Sequence, residues 1–435
     1  MSNRVIAAAT RFARAKGGNV AVIFAVALLP MIMTTFGILQ YGFALSVQTK
    51  LNSLADAAAL QAVSSAAAVT YVTTGATGQT NATNMFNTQA AQVTGTTISS
   101  LNVSVVPTAA TSTAPGTLAA TVTYTATVTS LAPGIFGTYF TSVKGTSTAT
   151  ATLPAYANFY LLLDNSPSMG IGATATDITN IGKPNNGCGF ECHSPDATTG
   201  GYPGYTNGFV SGVTTRLNAL QTATQTIISQ AQSNETISGQ YQFAVYTFNN
   251  TVTLLSALNS NLSQVSSDVN NLTLPTTDVS TQIGDAVNWL SKNVVTAASG
   301  NGTKNSPYEF VFLVTDGVED HYNFNNNYVA GSYDTLTAPV GTWNGTNYAS
   351  VMQSSACTSL TNKGVTVAVI YTNYDNVGGT QYTDMVQPFV GNIAGALQSC
   401  ASPNFFLQAD NGSSINTAMQ QLFQAALQQT AHLSQ

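Results

Sequence analysis

Charge is what this 435-residue chain has least of. Asp, Glu, Lys and Arg together make up 6% of it, against roughly one quarter in ordinary soluble proteins. Ser, Thr, Asn, Gln and Ala take their place, a composition suited to an extracytoplasmic or fibre-associated surface. The formal net charge of −6 gives no electrostatic case for nucleic acid. Histidine is equally scarce: His193, His321 and His432 are the three present. No Gly-x-Ser-x-Gly elbow, His-Glu-x-x-His pair or Gly-x-x-x-x-Gly-Lys-Ser/Thr phosphate loop occurs. These absences leave little for an enzyme, and neither catalysis nor a small-molecule substrate is expected. The enzymatic alternative is an exported hydrolase in which Asp320 and His321 approach Ser166.

Between Lys16 and Lys50 ionisable acids and bases are missing altogether. The run Val20–Leu45 is apolar nearly throughout, and roughly 20 such residues in a helix span a bilayer. It is too long for the apolar region of a cleaved signal peptide, so a retained membrane helix is expected over 18–45, with Pro30 tolerated inside it. Arg4, Arg11, Arg14 and Lys16 crowd the segment before it, which predicts a cytoplasmic N-terminus (1–17) and an exported remainder. All four cysteines, Cys188, Cys192, Cys357 and Cys400, fall on that exported side. An even number there suggests disulfides. The pairs expected are Cys188–Cys192 and Cys357–Cys400, although sequence alone does not choose among the possible pairings.

The helix should continue outward, because 46–69 is rich in Ala, Leu and Gln, which favour helix. Here GGNVAVIFAVALLP leads into KLNSLADAAALQA, a combination that resembles the N-terminal segment of TadE/TadG-type proteins of Flp/Tad pilus assembly. Leu54-Ala55-Asp56-Ala57-Ala58-Ala59-Leu60 reproduces the helical core of that segment. The resemblance implies a single-pass protein of the bacterial inner membrane whose partners are other pilus-assembly or envelope proteins. A minor pilin-like structural subunit is the alternative. Ile23 stands five residues after Gly18, where prepilins carry Glu, and this argues against that alternative.

Residues 70–155 change character. TISSLNVSVV, TLAATVTYTATVTSL and TSTATATLP alternate apolar or small residues with Thr. That period of two predicts strands and a small β-rich domain; a low-complexity Thr/Ala linker is the alternative. From 156 to 435 apolar strand-like runs alternate with helix-period runs. Strands are expected at 159–164, 242–248, 251–255, 309–315, 366–372 and 404–408. Helices are expected at 210–230, 261–272, 282–296, 348–363, 385–400 and 414–433. Asn249-Asn250 marks one hairpin. The fold class is therefore α/β, a doubly wound and mostly parallel sheet, preceded by a transmembrane helix, a helical stalk and the small β-rich domain.

In such a sheet ligands bind beyond the carboxyl ends of the strands. Asp164-Asn165-Ser166-Pro167-Ser168 leaves the first strand there, and Asp316-Gly317 leaves a later one. Two carboxylates brought close repel each other, and a cation removes the repulsion. Donors that are all oxygen select Mg²⁺, Mn²⁺ or Ca²⁺ over zinc. Taken alone, Asp-x-Ser-x-Ser also fits a helix cap or turn.

Asp-x-Ser-x-Ser, a Thr before a helix, and Thr-Asp-Gly after a later strand together resemble the metal-ion-dependent adhesion site of von Willebrand factor type A domains. The resemblance covers about 156–433. It implies a site built from Asp164, Ser166, Ser168, Thr281 and Asp316 that binds a protein partner through the metal, with Thr277 as the other candidate threonine. Two insertions interrupt the pattern, at 170–207 and 318–346. The first holds Gly187-Cys188-Gly-Phe-Glu-Cys192-His193, similar to a stretch of TadG-like proteins. The second groups several aromatic residues that could meet a partner or pack on the loop itself.

Overall fold

The computed structural model describes residues 18–111, 114–182, 212–275, 279–320, 336, 338–343, 345–374 and 379–432. They fall into two compact units, Met1–Thr108 with Thr117–Leu153 and Ala109–Gly116 with Pro154–Gln435.

The first unit is organised by one helix with two different halves. Helix α1 runs from Gly18 to Ala62. Its first half exposes Val20, Ile23, Phe24, Val26, Leu29 and Met31. It is long and apolar enough to cross a membrane. Just after Pro30, Thr34 and Thr35 donate their hydroxyls to the carbonyl of Met31 at 2.9 and 2.8 Å, so these polar groups are satisfied within the helix. In the second half Gln40, Ala44, Val47, Leu51, Ala55, Ala58 and Ala62 are buried. Their spacing of three and four residues makes one stripe.

That stripe packs on an antiparallel sheet of β1 (Thr96–Thr108), β2 (Thr117–Thr129) and β3 (Tyr139–Thr152), with β2 central. Leu118, Ala120, Val122, Tyr124, Ala126 and Val128 alternate inward along β2. Small residues let helix and sheet approach closely. A Cβ on Gly145 would collide with the Tyr124 ring and Asn52. The Tyr124 hydroxyl donates to Asn52 Oδ1 at 2.7 Å. After α1, Ser64 caps α2 (Ser65–Thr74) and α3 (Gln79–Ala90) adds Phe86 beside Tyr124. The helical stalk expected over 46–69 is formed by the sheet-bound half of α1 and, after a break beyond Ala62, the start of α2.

The second unit is a six-stranded sheet in the order β12-β11-β7-β4-β5-β6. Its strands are β4 (Ala157–Asp164), β5 (Tyr241–Phe248), β6 (Val252–Asn259), β7 (Tyr308–Thr315), β11 (Thr366–Thr372) and β12 (Phe406–Ala409). All neighbours are parallel except β5 and β6. Short helix α4 (Ala175–Gly182) follows β4.

On one face of the sheet, Phe159, Leu161 and Leu163 meet α5 (Arg216–Asn234) and α10 (Gly412–His432). On the other, Tyr160 and Leu162 meet α7 (Ile283–Asn293) and α9 (Val390–Cys400). The continuous apolar run of β4 follows from this double cover. Each such side chain contributes roughly 1.5–3 kcal/mol of burial. Phe159 stacks between Phe243 and Phe310, at 4.8 and 5.1 Å between ring centres. The remaining helices are α6 (Leu262–Asp268) and α8 (Gly379–Met385).

One expected helix is a strand. Residues 348–363 begin in β10 (Thr346–Val351), which pairs with β8 (Val318–Asp320) and β9 (Gly341–Trp343) in a small second sheet. Partners supplied by the insertion after Asp316 override the local helical spacing; only short helical turns follow, at Ser354–Cys357 and Thr358–Thr361. Cys357 and Cys400 form the expected disulfide. Cys188 and Cys192, and most of both insertions, lie outside the described residues.

Candidate metal centre

Strand β4 has β5 on one side and β7 on the other, and the chain reaches β7 only after completing β5 and β6. The carboxyl edge between β4 and β7 is therefore the switch point of the sheet. Asp164 is the last residue of β4 and Asp316 follows β7. Both are fully buried, as is Ser166, and Ser168 is largely buried.

The loop after β4 is shaped by its own side chains. Ser166 N–H donates to Asp164 Oδ1 at 2.8 Å, closing the turn in the manner typical of Asp. Pro167 then opens a single 3₁₀ turn, where its fixed φ is compatible. This turn brings the hydroxyls of Ser166 and Ser168 to 3.1 Å from each other. The Ser168 hydroxyl also favours the charged form of Asp316.

Each residue of Thr315-Asp316-Gly317 has its own task. The Thr315 hydroxyl donates to Asp164 Oδ2 at 2.6 Å, so both oxygens of Asp164 are held. Asp316 Oδ1 accepts from Val318 N–H at 3.3 Å. Gly317 has φ +76°, and a Cβ there would strike Ile393, so only glycine turns the chain from β7 into β8.

Thr281, buried just ahead of α7, is tied by backbone bonds to β8, the strand that follows Asp316. Its N–H donates to Asp320 Oδ1 and its carbonyl accepts from Asp320 N–H, at 3.3 and 3.1 Å. The next residue, Gln282, donates its N–H to the carbonyl of Asn249. Asn249 in turn donates its side-chain amide to Asn165 Oδ1 at 3.2 Å. Ser280 is fully buried, and its hydroxyl has no partner among the described residues. Thr277 lies outside the described residues.

Arg216 is the residue that motif reading missed. It opens α5, is itself buried, and places Nη1 3.4 Å from Asp316 Oδ2. Its Nη2 donates to the carbonyl of Asn373 at 2.6 Å, and the guanidinium lies 5.0 Å from the centre of the Tyr374 ring. A cation at a helix N-terminus opposes the helix dipole, so Asp316 and the ring account for its position. A signal was available: Arg216 is the only arginine after Arg14, and it shares a helical stripe with the buried Leu220, Ala223 and Ile227.

Electrostatically, burial raises the Asp164 carboxyl above its ordinary value, and the negative charge of Asp316 raises it further. Burial also raises Asp316, while Arg216 draws it back. One guanidinium thus faces Asp316, while Asp164 is a second buried carboxyl with no basic partner among the described residues. The donors are oxygen throughout, and negative charge is in excess. This set fits a hard divalent cation.

Comparison with known proteins agrees with this architecture. Residues 18–68 match the Flp pilus-assembly TadE/G-like family, and residues 211–368 match the von Willebrand factor type A domain. The second match begins beyond the Asp164–Ser168 loop, which is read from its geometry alone. No curated protein matches the chain significantly.

Among solved structures, the von Willebrand factor domain of the type V pili tip protein Mfa5 from Porphyromonas gingivalis is 10% identical, with a TM-score of 0.39, over 63% of this chain and 96% of that one. The PilB minor pilin from Streptococcus sanguinis is 11% identical, with a TM-score of 0.38, over 77% and 80%. Proximal thread matrix protein 1 from the mussel byssus, with a zinc-occupied adhesion motif, is 15% identical with a TM-score of 0.35 over 63% of this chain. The chain spans about half the length of the byssus protein, 48%. The chain thus joins a TadE/G-like segment near its N-terminus to a region that matches the von Willebrand factor type A domain.

Proposed function

We propose that this is a single-pass protein of the bacterial inner membrane that serves Tad pilus assembly or surface adhesion by binding a protein partner through a divalent metal. The observation that carries this is the burial of Asp164, Ser166, Ser168 and Asp316 at the sheet's switch point, the first three joined by hydrogen bonds. The basic residues before α1 support a cytoplasmic N-terminus, with both folded units outside.

Ser166, Ser168 and Thr281 would hold the ion through hydroxyls, and Asp164 and Asp316 directly or through water. Bound Mg²⁺, Mn²⁺ or Ca²⁺ would offer an acidic group of the partner a place in its roughly octahedral shell. Thr315 and the Ser166 N–H fix the orientation of Asp164. Val318 N–H and Arg216 do the same for Asp316. The β4, β5, β7 and β11 strands keep this edge rigid beneath the loops.

The test is partner capture from envelope extracts by the full chain, in Mg²⁺ and in EDTA. Capture should require the ion and should vanish in Ser166→Ala/Ser168→Ala protein whose folding is intact. Capture that persists in chelator contradicts the proposal. Isolated pili should hold the chain at most as a trace component; stoichiometric incorporation would favour a pilin-like subunit.

A further inference from the structure

The adhesion site has a second cationic participant. Arg216 contacts Asp316 Oδ2, a nominated metal donor, from inside the protein, and its guanidinium is too buried to meet a partner. Its remaining contacts, the Asn373 carbonyl and the Tyr374 ring, are both neutral. Asp316 is therefore where its charge is answered. Without the guanidinium, two carboxylates would share this buried edge with hydroxyls and amides alone. With it, one negative charge is already neutralised before any ion arrives.

We propose that Arg216 is the resident counter-ion of the site: it holds Asp316 in place in the metal-free protein and lowers the affinity of the site for a divalent cation. This rests on the metal-site proposal above. Two consequences follow from electrostatics. A fixed positive charge beside Asp316 repels an incoming dication and weakens the pull of the carboxylate on it. It also spares the empty site the repulsion of two buried carboxylates, so the fold does not depend on metal to assemble. Arg216 is thus a positioning residue that makes loading reversible.

The test is Mn²⁺ binding by the full chain in detergent micelles, followed through the electron paramagnetic resonance signal of free Mn²⁺. Arg216→Gln, and Arg216→Met as a second neutral replacement, should bind Mn²⁺ about tenfold tighter or more, and should unfold at lower temperature than the parent in EDTA. Arg216→Lys keeps the charge and should stay near the parent affinity. Neutral variants that fold only when Mn²⁺ is supplied support the proposal equally, because the ion then replaces the guanidinium.

A folded neutral variant that binds Mn²⁺ no tighter than the parent overturns the proposal and leaves the metal site standing. Neutral variants that stay unfolded in Mn²⁺ also overturn it. Absence of Mn²⁺ binding in the parent and in every variant overturns the metal site and this proposal together.

Discussion

Strands β4 and β7 bury acids at both of their ends, and the two ends are built differently. At the carboxyl edge, each oxygen of Asp164 and Asp316 has a polar partner and Arg216 supplies charge. At the other edge, Asn158 lies directly beside Glu309 in the β4–β7 register. There, Glu309 Oε1 accepts from Asn158 at 3.1 Å, and the Tyr160 hydroxyl favours the charged carboxylate. Glu309 Oε2 and Asn158 Oδ1 have no partner among the described residues. Burial pushes the Glu309 carboxyl up to about 7. Buried acidity alone therefore does not mark a site. What distinguishes the carboxyl edge is convergence of hydroxyls and carboxylates from separate loops, with bonds that fix each oxygen.

The largest expected effect tests the Arg216 side of this contrast. Asp316→Asn leaves a buried guanidinium without its counter-charge, and breaking such a pair costs about 3–5 kcal/mol. Denaturant unfolding in EDTA checks this, and a loss under 1 kcal/mol would mean that Arg216 finds other compensation.

Next is the Cys357–Cys400 disulfide, whose partners are 43 residues apart. Both cysteines precede strands that run toward the carboxyl edge, so the bond fastens the far side of the domain. Replacing both by Ser should cost about 2–4 kcal/mol and leave Mn²⁺ affinity unchanged. A shift in affinity would show that the two ends are coupled.

Smaller still is Glu309→Gln. The fold favours the protonated acid, so Glu309 costs nothing below about pH 4.5, where the unfolded chain is protonated too. Its cost grows as pH rises from there and levels off above about 7. The Gln variant should therefore match the parent in acid and gain about 1–3 kcal/mol at pH 8. Equal stability at both pH values would mean that the orphan oxygen is solvated.

Much of this was legible because apolar runs are long and punctuation is clear. Phe159–Leu163 reads as a buried strand from composition alone, and Thr315-Asp316-Gly317 marks the end of another. The apolar segment after Lys16 is equally plain. Other features were hidden. The helix-like spacing over 348–363 gave way to strand pairing with β8 and β9, which only the folded insertion provides. Arg216 was hidden by the insertion that separates it from Ser168; its distance in sequence conceals a contact that the fold makes direct. Thr315 was passed over because its hydroxyl points back to Asp164 rather than out to a ligand.

The central claim is that one divalent ion sits among Asp164, Ser166, Ser168, Thr281 and Asp316. Calorimetric titration of the full chain with Mg²⁺ tests it most directly. One ion should bind per chain, and Ser166→Ala/Ser168→Ala should abolish binding while the circular dichroism spectrum is preserved. A chain that takes up no Mg²⁺, or a double variant that takes it up as the parent does, would contradict the account.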